Sequence, residues 1–327
     1  MISGMETPET LQAAIEFFAD DARAHAYLVQ TRWPDGHVVC PICGRVDPSW
    51  LANQRRFKCK NKHPRQQFSA KVGTIFEDSP LPLKHWLLAT WMISNCKNGI
   101  SSYELSRALG VTQKTAWFMN HRIRLAMQGD NGGKLGGEVE VDETYIGGKS
   151  RNMNRQQRRR NLAGKGKRDA WAGKVAVMGL LQRHPTKGHS TVRTKPVDTV
   201  RSYRLMSEVS ANVEDGATVY TDALKSYKNV AVYYEHKVID HAEQYVDGQI
   251  HTNGLENYWS LLKRSIRGTY VSVEPFHLFR YLDEQAFRFN ERKGKDGERF
   301  AAVLSHVTGK RVMFDTLTGK TGENAVA

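Results

Sequence analysis

The sequence lacks long hydrophobic stretches and contains few cysteines. No run approaches the roughly 18 to 20 consecutive apolar residues of a membrane-spanning helix. The first thirty residues mix acidic, aromatic and alanine residues, which is not the composition of a signal peptide. The chain has four cysteines among 327 residues, too few for a disulfide framework in a chain of this length. We therefore expect a cytoplasmic protein whose cysteines bind metal.

Acidic residues are in deficit. The chain carries 34 Asp and Glu against 48 Lys and Arg, a formal net charge of +14. Such an excess of positive charge favours a polyanionic partner. The charge alone does not distinguish nucleic acid from an anionic membrane, and it also serves solubility, so its position along the chain has to decide.

The length allows two or three domains with a substantial core. Apolar residues at helical spacing predict one amphipathic helix from Thr10 to Gln30. Beyond residue 137 the pattern changes to strands alternating with helices, which predicts a multidomain α/β protein with a mixed sheet. We divide the chain into an N-terminal helical segment (1–30), a zinc ribbon and connector (31–79), a helix-turn-helix-like module (80–130), a linker (131–137), an α/β domain (138–292) and a C-terminal tail (293–327).

Two periodicities predict the elements of the α/β domain. Alternation of apolar and polar residues indicates strands, and apolar residues three and four apart indicate helices. The predicted strands are Glu138–Ile146, Lys174–Leu181, Ser190–Val197, Thr218–Tyr220 and Tyr233–Val238. The predicted helices are Thr199–Ser210, Asn253–Arg267 and His277–Phe289. The tail after this domain gives little signal for any element.

A zinc site is predicted between residues 40 and 63. Cys40 and Cys43 are separated by two residues, which lets both thiolates reach one ion, and Cys59 with His63 supplies a second pair. Tetrahedral zinc takes four such ligands, and a site without an open position is structural rather than catalytic. His37 is an alternative fourth ligand, and Cys59 is alternatively a small buried hydrophobic residue.

The helical module has the pattern of a helix-turn-helix. One helix ends at Gly110 and a second begins after Thr112, a preferred N-cap residue. In such a module Gln113, Lys114 and Thr115 lie at the start of the second helix, where base edges are read, and Arg122 and Arg124 approach phosphates. An ordinary helical hairpin with solvated polar residues explains the pattern equally well. The adjoining zinc ribbon favours the DNA-binding alternative.

Acidic residues stand at three separate points of the α/β domain. Glu138, Glu140 and Asp142 alternate along a predicted strand and therefore share one of its faces. Asp222 ends a second strand, and Glu256 stands at the start of a helix. Each acid also has an ordinary structural explanation: surface charge on the strand, a helix N-cap for Asp222, and a capping box for Glu256.

Five motifs occur in a specific order along the chain. They are Cys40-Pro41-Ile42-Cys43-Gly44, Val141-Asp142-Glu143-Thr144-Tyr145-Ile146-Gly147-Gly148, Thr221-Asp222, His251-Thr252-Asn253-Gly254-Leu255-Glu256 followed by Trp259-Ser260-Leu261-Leu262-Lys263-Arg264, and Tyr281-Leu282-Asp283-Glu284 to Phe289-Asn290. As a set they resemble the zinc-ribbon-bearing DDE transposases of bacterial insertion sequences. The resemblance covers residues 30–292, and its motifs are specific as a set.

The resemblance implies a ribonuclease-H-like catalytic domain with a metal-binding triad of Asp142, Asp222 and Glu256. Asn257 is an alternative third ligand, because some branches of the family carry asparagine there. Glu143 lies on the opposite strand face and is not expected to bind the ion. Two Mg²⁺ (or Mn²⁺) ions would serve cutting at the element's ends and joining to target DNA. The implied partners are double-stranded DNA and, on DNA, further copies of the chain.

Basic residues beside the triad predict DNA contacts. Lys263 and Arg267 follow Glu256 on one helix face. The opposite, core-facing stripe consists of Leu255, Trp259, Leu262 and Ile266. The segment 149–168 has nine basic residues and no acid, which predicts a loop that holds DNA backbone or, alternatively, disordered solvated charge. Its central residues are Arg158, Arg159 and Arg160.

Two other functions compete with that of a transposase. A non-catalytic DNA-binding regulator derived from a transposase keeps the zinc and helical modules but not the chemistry. A simple ribonuclease-H-type nuclease cuts without joining. Acids at all three positions argue against the regulator, and the N-terminal DNA-reading modules argue against the simple nuclease.

Overall fold

The computed structural model divides the chain into two compact units. The first comprises Met1–Gly129 with Gly294–Ala327, and the second comprises Asp130–Lys293. The residues that it describes are 7–129, 132–147, 155–156, 174–184, 189–222, 225–227, 230–239 and 252–319. Among these residues, no helix combines the length and the apolar character that crossing a membrane requires.

The first unit begins with two helices where the sequence predicted one. α1 (Leu11–Ala19) and α2 (Asp21–Arg32) are separated at Asp20, whose backbone is extended with φ −80° and ψ 115°. The Asp20 carboxylate accepts the Ala22 N–H at 2.8 Å and so caps α2. A single capping residue hardly alters the apolar periodicity, so the pattern alone did not reveal this break.

A three-stranded antiparallel sheet follows the first two helices. Its strands β1 (Ser49–Leu51), β2 (Arg56–Lys58) and β3 (Gln67–Phe68) lie in the order β1-β2-β3. Phe57 pairs with Trp50 of β1, and the two ring centroids are 4.8 Å apart. So small a sheet buries little apolar area, which is typical of a module that depends on a metal to fold.

Three longer helices complete the N-terminal part of the first unit. They are α3 (Leu83–Asn95), α4 (Ser102–Leu109) and α5 (Gln113–Met127). The predicted helix ends are confirmed: Gly110 ends α4 with φ +66°, and Thr112 caps α5 through its side-chain oxygen. Glycine adopts this left-handed conformation without steric cost, so the chain can turn sharply between α4 and α5.

The second unit is built on a five-stranded mixed sheet. Its strands are β4 (Glu138–Ile146), β5 (Val175–Gln182), β6 (Thr191–Val197), β7 (Thr218–Asp222) and β8 (Glu235–Ile239), in the order β6-β5-β4-β7-β8. β4, β5 and β6 are antiparallel, whereas β7 and β8 run parallel to β4. The predicted mixed α/β sheet is confirmed. Each predicted strand agrees with the observed one to within two residues at either end.

Helices cover both faces of this sheet. α6 (Ser202–Asn212) packs on one face, and α7 (Asn253–Ser265) and α8 (Leu278–Asn290) pack on the other. Val139 and Val141 of β4 belong to the core under α6. Because side chains alternate along a strand, the acids at positions 138, 140 and 142 face α7.

The C-terminal segment contains two helices that the sequence did not predict. They are α9 (Asp296–Ser305) and α10 (Phe314–Leu317), and both belong to the first unit. Phe300 of α9 is fully buried, with its ring centroid 5.7 Å from that of Phe18 and 5.8 Å from that of Tyr27. Within the described residues 293–319, the predicted tail therefore contains ordered helices that pack in the first unit. The apolar positions of α9 span too few turns to stand out among the surrounding polar residues.

Candidate catalytic centre and zinc cluster

The three acids of the predicted triad come from three elements of the second unit. Asp142 lies in β4, Asp222 is the last residue of β7, and Glu256 lies in the first turn of α7. β4 and β7 are paired up to Glu140 and Tyr220. Both aspartates therefore follow the last pair by two residues, at the point where the two parallel strands separate.

The charges of the three acids interact. Burial raises the pKa of Asp142, and the negative charges of Asp222 and Glu256 raise it further. Hydrogen bonds from Trp259 and from the backbone of Glu143 act in the opposite direction. Mutual repulsion between carboxylates at a partly buried site favours a cation among them.

The capping explanation for Glu256 is not supported. The N-cap residue of α7 is Thr252, whose side chain makes no capping hydrogen bond, and Asn253 is already helical. Glu256 and its neighbour Asn257 are both exposed. Only Glu256 carries a charge, and that charge acts on Asp142, which favours Glu256 over Asn257 as the third acid.

Hydrogen bonds hold both carboxylate oxygens of Asp142. The Glu143 N–H donates to Oδ1 at 2.8 Å, and the Trp259 Nε1–H donates to Oδ2 at 2.9 Å. The Trp259 ring packs against Gly179, which is the residue of β5 that pairs with Asp142. A Cβ atom at Gly179 would lie only 2.6 Å from this ring. The absence of a side chain at Gly179 therefore allows the indole to reach Asp142.

The other two acids on this face of β4 have structural partners. Glu140 is only 1% exposed, and its carboxylate accepts the Arg183 Nε–H at 2.8 Å and the Leu255 N–H at 2.9 Å. Glu138 accepts a second Arg183 N–H at 3.4 Å. Alternation along the strand places both residues on the same face as Asp142. Their ion pairs with Arg183 join β4 to the end of β5, and the Leu255 hydrogen bond of Glu140 joins β4 to α7.

Glu143 points to the opposite face of β4, as the sequence predicted. The Tyr227 hydroxyl donates a hydrogen bond to its carboxylate. Burial raises the pKa of Glu143 to about 8, with the charges of Asp142 and Asp222 adding to the effect and the Tyr227 hydrogen bond opposing it.

α7 presents cations on the same side as Glu256. Its predicted core-facing residues are all buried, namely Leu255, Trp259, Leu262 and Ile266. Lys263 is partly buried, whereas Arg267, in the turn that follows α7, is exposed. Burial and the charge of Arg267 lower the pKa of Lys263, while Asp142 raises it, so Lys263 lies within electrostatic reach of Asp142.

A second cluster lies in the first unit beside the three-stranded sheet. Ligand atoms of Cys40, Cys43, Cys59 and His63 all lie within 4.8 Å of one another, and the described part of the chain contains no other such group of Cys, His, Asp or Glu. Sγ of Cys40 is 3.5 Å from Nε2 of His63, and Sγ of Cys43 is 3.5 Å from Sγ of Cys59. Zn–S bonds of about 2.3 Å in a tetrahedron separate two sulfurs by roughly 3.8 Å. The cluster therefore fits one zinc ion.

His37, the alternative fourth ligand, lies outside this cluster. Its Nδ1 is 3.4 Å from Oδ1 of Asp47 on the surface. Within the cluster, the Asn61 N–H donates to Sγ of Cys59 at 3.4 Å, and the Asn61 side-chain amide donates to Sγ of Cys43 at 3.6 Å. Such outer hydrogen bonds orient metal ligands.

Two regions of the chain match known families. Residues 134–290, which contain all three acids, match the ISXO2-like transposase domain, and residues 19–61 match the transposase zinc-ribbon domain. The chain therefore carries a transposase domain and a transposase zinc ribbon. It is also 28% identical over 258 residues to an uncharacterised protein in the transposable element ISH50 of Halobacterium salinarum, an alignment that covers 76% of this chain and 84% of that relative.

Two of the residues predicted to read DNA lie at the start of α5. Lys114 is exposed, with its ammonium group 4.5 Å from the centre of the Phe314 ring. The Gln113 side chain donates to Oγ of Ser102 at 2.8 Å and so joins α5 to α4. Lys114 is the more accessible of the two. The predicted arginines of the basic loop, Arg158, Arg159 and Arg160, lie outside the described residues.

The expectation that Arg122 and Arg124 contact phosphates does not agree with the structure. Arg122 is only 4% exposed and Arg124 only 1%. The Arg122 guanidinium donates to the carbonyl oxygens of Val312 at 3.2 Å, Ile75 at 2.9 Å and Glu77 at 2.6 Å. Reaching DNA would break these buried hydrogen bonds. Helical periodicity within α5 cannot reveal that a segment 190 residues further along the chain covers this position.

A basic concavity on the zinc ribbon escaped the sequence reasoning. It is lined by Ser49, Lys58, Cys59, Lys60, Lys62, His63 and Gln66. The three lysines are exposed. Their spacing of two residues is visible in the sequence, but the concave shape depends on how the strands and the zinc ligands fold around them.

Proposed function

We propose that the protein acts as a transposase, which cuts phosphodiester bonds at the ends of its insertion sequence and joins the freed 3′ ends to target DNA. Asp142, Asp222 and Glu256 form the metal-binding triad. The observation that carries this proposal is that three acids from distant parts of the sequence lie on adjoining elements: Asp142 and Asp222 follow the last pair of two neighbouring parallel strands, and Glu256 is on the helix whose Trp259 hydrogen-bonds to Asp142. The order of antiparallel and parallel strands supports a ribonuclease-H-like fold for the second unit.

The three carboxylates of the triad are donors of the type that binds Mg²⁺ or Mn²⁺, and their ligand atoms lie further apart than those of the zinc cluster. Both are hard cations that prefer carboxylate oxygens, and a cation relieves the repulsion that acts on Asp142. Two such ions, when bound, neutralise charge on the scissile phosphate and acidify the attacking water. The proposal accordingly assigns two ions to Asp142, Asp222 and Glu256.

The protein's own residues orient the reacting groups. Trp259 and the Glu143 N–H hold Asp142 in one orientation. Lys263 and Arg267, on the same side of the helix as Glu256, bind phosphate oxygens of the DNA backbone. Fixing the phosphate relative to the acids lowers the entropic cost of reaching the transition state.

The first unit supplies DNA binding. A zinc ion held by Cys40, Cys43, Cys59 and His63 is structural, because protein ligands take all four positions. Lys114 on α5 and the exposed lysines of the zinc-ribbon concavity neutralise phosphates. Joining two element ends requires at least two DNA-bound subunits, so the protein acts as a homo-multimer on double-stranded DNA.

Cleavage and joining of labelled DNA that carries the element's own ends tests the proposal. The wild type is compared with Asp142→Asn and Asp222→Asn in Mg²⁺ and Mn²⁺. Asp215→Asn is a matched control, because it removes the same charge from an exposed residue that has no place in the triad. We expect joined products from the wild type and the control, and DNA binding without cleavage from both triad variants.

The other outcomes of this assay identify the competing functions. Specific DNA binding by the wild type without cleavage in either metal would indicate the DNA-binding regulator. Cleavage without any joined product would indicate a simple nuclease. Unchanged cleavage by Asp142→Asn would remove the triad from the mechanism altogether.

A further inference from the structure

We propose that Glu140 and Trp259 are positioning residues, which fasten α7 to β4 on either side of Glu256 and so set the separation between Glu256 and Asp142. This inference rests on the proposed metal-dependent activity of the triad. Glu140 contacts the backbone of Leu255, one residue before Glu256, and Trp259 lies three residues after it. The third acid thus lies between two fixed points of its helix.

The first fixed point caps the beginning of α7. N–H groups in the first turn of a helix have no partner within the helix. The Thr252 side chain makes no capping bond, and the Glu140 carboxylate accepts the Leu255 N–H at 2.9 Å instead. Arg183 pairs with the same carboxylate at 2.8 Å, which balances a charge that is only 1% exposed. Glu140 of β4 therefore acts as the cap of α7.

Gly254 makes this first contact possible. A Cβ atom at position 254 would lie 2.9 and 3.0 Å from the two Glu140 carboxylate oxygens. Any side chain here would push the carboxylate away from the helix. Because Gly254 immediately precedes Leu255, the glycine and the hydrogen bond form one device that brings α7 close to β4.

The second fixed point connects α7 directly to the first acid of the triad. Trp259 donates its Nε1–H to Oδ2 of Asp142 at 2.9 Å, while its ring packs against Gly179. A Cβ atom at Gly179 would come within 2.6 and 2.8 Å of two ring carbons. The indole is therefore confined on the sheet side and cannot reorient without moving the helix.

Both fixed points act on the triad from buried side chains, Glu140 at 1% and Trp259 at 4% exposure. Leu255 and Trp259 are one helical turn apart on the buried face, and Glu256 is on the exposed face between them. Glu140 and Trp259 fix α7 to β4, and Trp259 also holds Asp142. The separation between Asp142 and Glu256 is therefore set before a metal ion binds. Metal binding then has less ordering entropy to overcome.

Mn²⁺ binding to the full chain without DNA, measured by electron paramagnetic resonance, tests Trp259. Trp259→Phe keeps an aromatic ring but removes the N–H donor. Trp91→Phe is the matched control, because Trp91 is a buried tryptophan whose Nε1 has no partner among the residues that the structure describes. Outer-shell residues of metal sites change affinity by about 10- to 100-fold. We expect the Mn²⁺ affinity to fall by that factor in Trp259→Phe and to stay unchanged in Trp91→Phe. The thermal stability of the two variants should decrease by similar amounts.

Hydrogen exchange of the α7 amides, measured without metal, tests Glu140. We expect faster exchange at Leu255 in Glu140→Ala and partial recovery in Glu140→Gln, which restores an acceptor, while α6 exchanges as in the wild type. Wild-type Mn²⁺ affinity in Trp259→Phe, or unchanged exchange at Leu255 in Glu140→Ala, would overturn the inference. If the wild type binds no Mn²⁺, or if Asp142→Asn binds it as well as the wild type does, the proposed metal-dependent function is wrong. The positioning role is then wrong with it.

Discussion

Replacing Gly179 by alanine is expected to damage the catalytic centre without changing any acid. The added methyl group would lie 2.6 Å from one carbon of the Trp259 ring and 2.9 Å from Cδ2 of Leu255. Carbon atoms pack at about 3.5 to 4.0 Å, so the ring has to retreat by roughly 1 Å. The hydrogen bond to Asp142, now 2.9 Å, would then exceed the usual range.

The expected loss of stability follows from two opposing effects. Overpacking a core costs about 1 to 3 kcal/mol, whereas alanine in a strand is better than glycine by about 0.5 to 1 kcal/mol. The free energy of unfolding of the second unit should therefore fall by about 0 to 2.5 kcal/mol. The effect on cleavage should be larger, on the order of 100-fold, because a 1 Å misplacement of a catalytic group commonly has that effect.

Thermal unfolding and Mg²⁺-dependent cleavage of element ends are measured side by side. Gly268→Ala serves as the stability control, since nothing lies within 4 Å of a Cβ atom at that position. A loss of 1 kcal/mol lowers the Tm of a unit of this size by about 2 to 4 °C. A Gly179→Ala variant as stable and active as the wild type would refute the argument. An equal loss of stability in Gly268→Ala would show that backbone effects, rather than the Trp259 contact, are responsible.

Four further outcomes are expected. The purified protein should contain one zinc ion per chain by atomic absorption. Cys40→Ser should contain no zinc and should lose the fold of the zinc ribbon, because such modules depend on their metal to fold. Arg122→Gln should destabilise the first unit by about 2 to 4 kcal/mol in chemical denaturation, because three buried carbonyl oxygens lose a charged donor. Lys114→Gln should leave the stability unchanged and reduce the salt dependence of DNA binding by roughly one counterion. Burial and the charge of Arg55 lower the pKa of His25 in the folded chain. As the pH falls below about 6.5, His25 is therefore protonated in the unfolded chain before it is protonated in the folded chain. Stability should then decrease from pH 7 to pH 5, less steeply in His25→Gln, and equal slopes would contradict this.

Local patterns predicted most of the secondary structure. Strands and helices of the second unit follow from apolar periodicity, which reflects the face that each element buries. Gly110 and Thr112 mark helix ends because their conformational preferences act within a few residues. The break at Asp20 and the helix α9 were missed, since neither changes the apolar pattern over enough turns.

The metal ligands of the zinc ribbon were also accessible from the sequence. A spacing of two residues between Cys40 and Cys43 is dictated by the reach of two side chains to one ion. The sequence could not decide between His37 and His63 as the fourth ligand, because that choice depends on where two distant loops meet. The structure brings His63 into the cluster and leaves His37 beside Asp47 on the surface.

Residue type and order along the chain were enough to single out Asp142, Asp222 and Glu256, because each acid stands in a motif of the family that the sequence resembles. They could not separate these acids from Glu140, which shares a strand face with Asp142. Only the tertiary structure decides this, since the charge of Glu140 is neutralised by Arg183, 43 residues away, and its second hydrogen bond comes from Leu255, 115 residues away. Whether a charged side chain is buried and paired or left available to a ligand depends on such distant partners, which local sequence patterns do not encode.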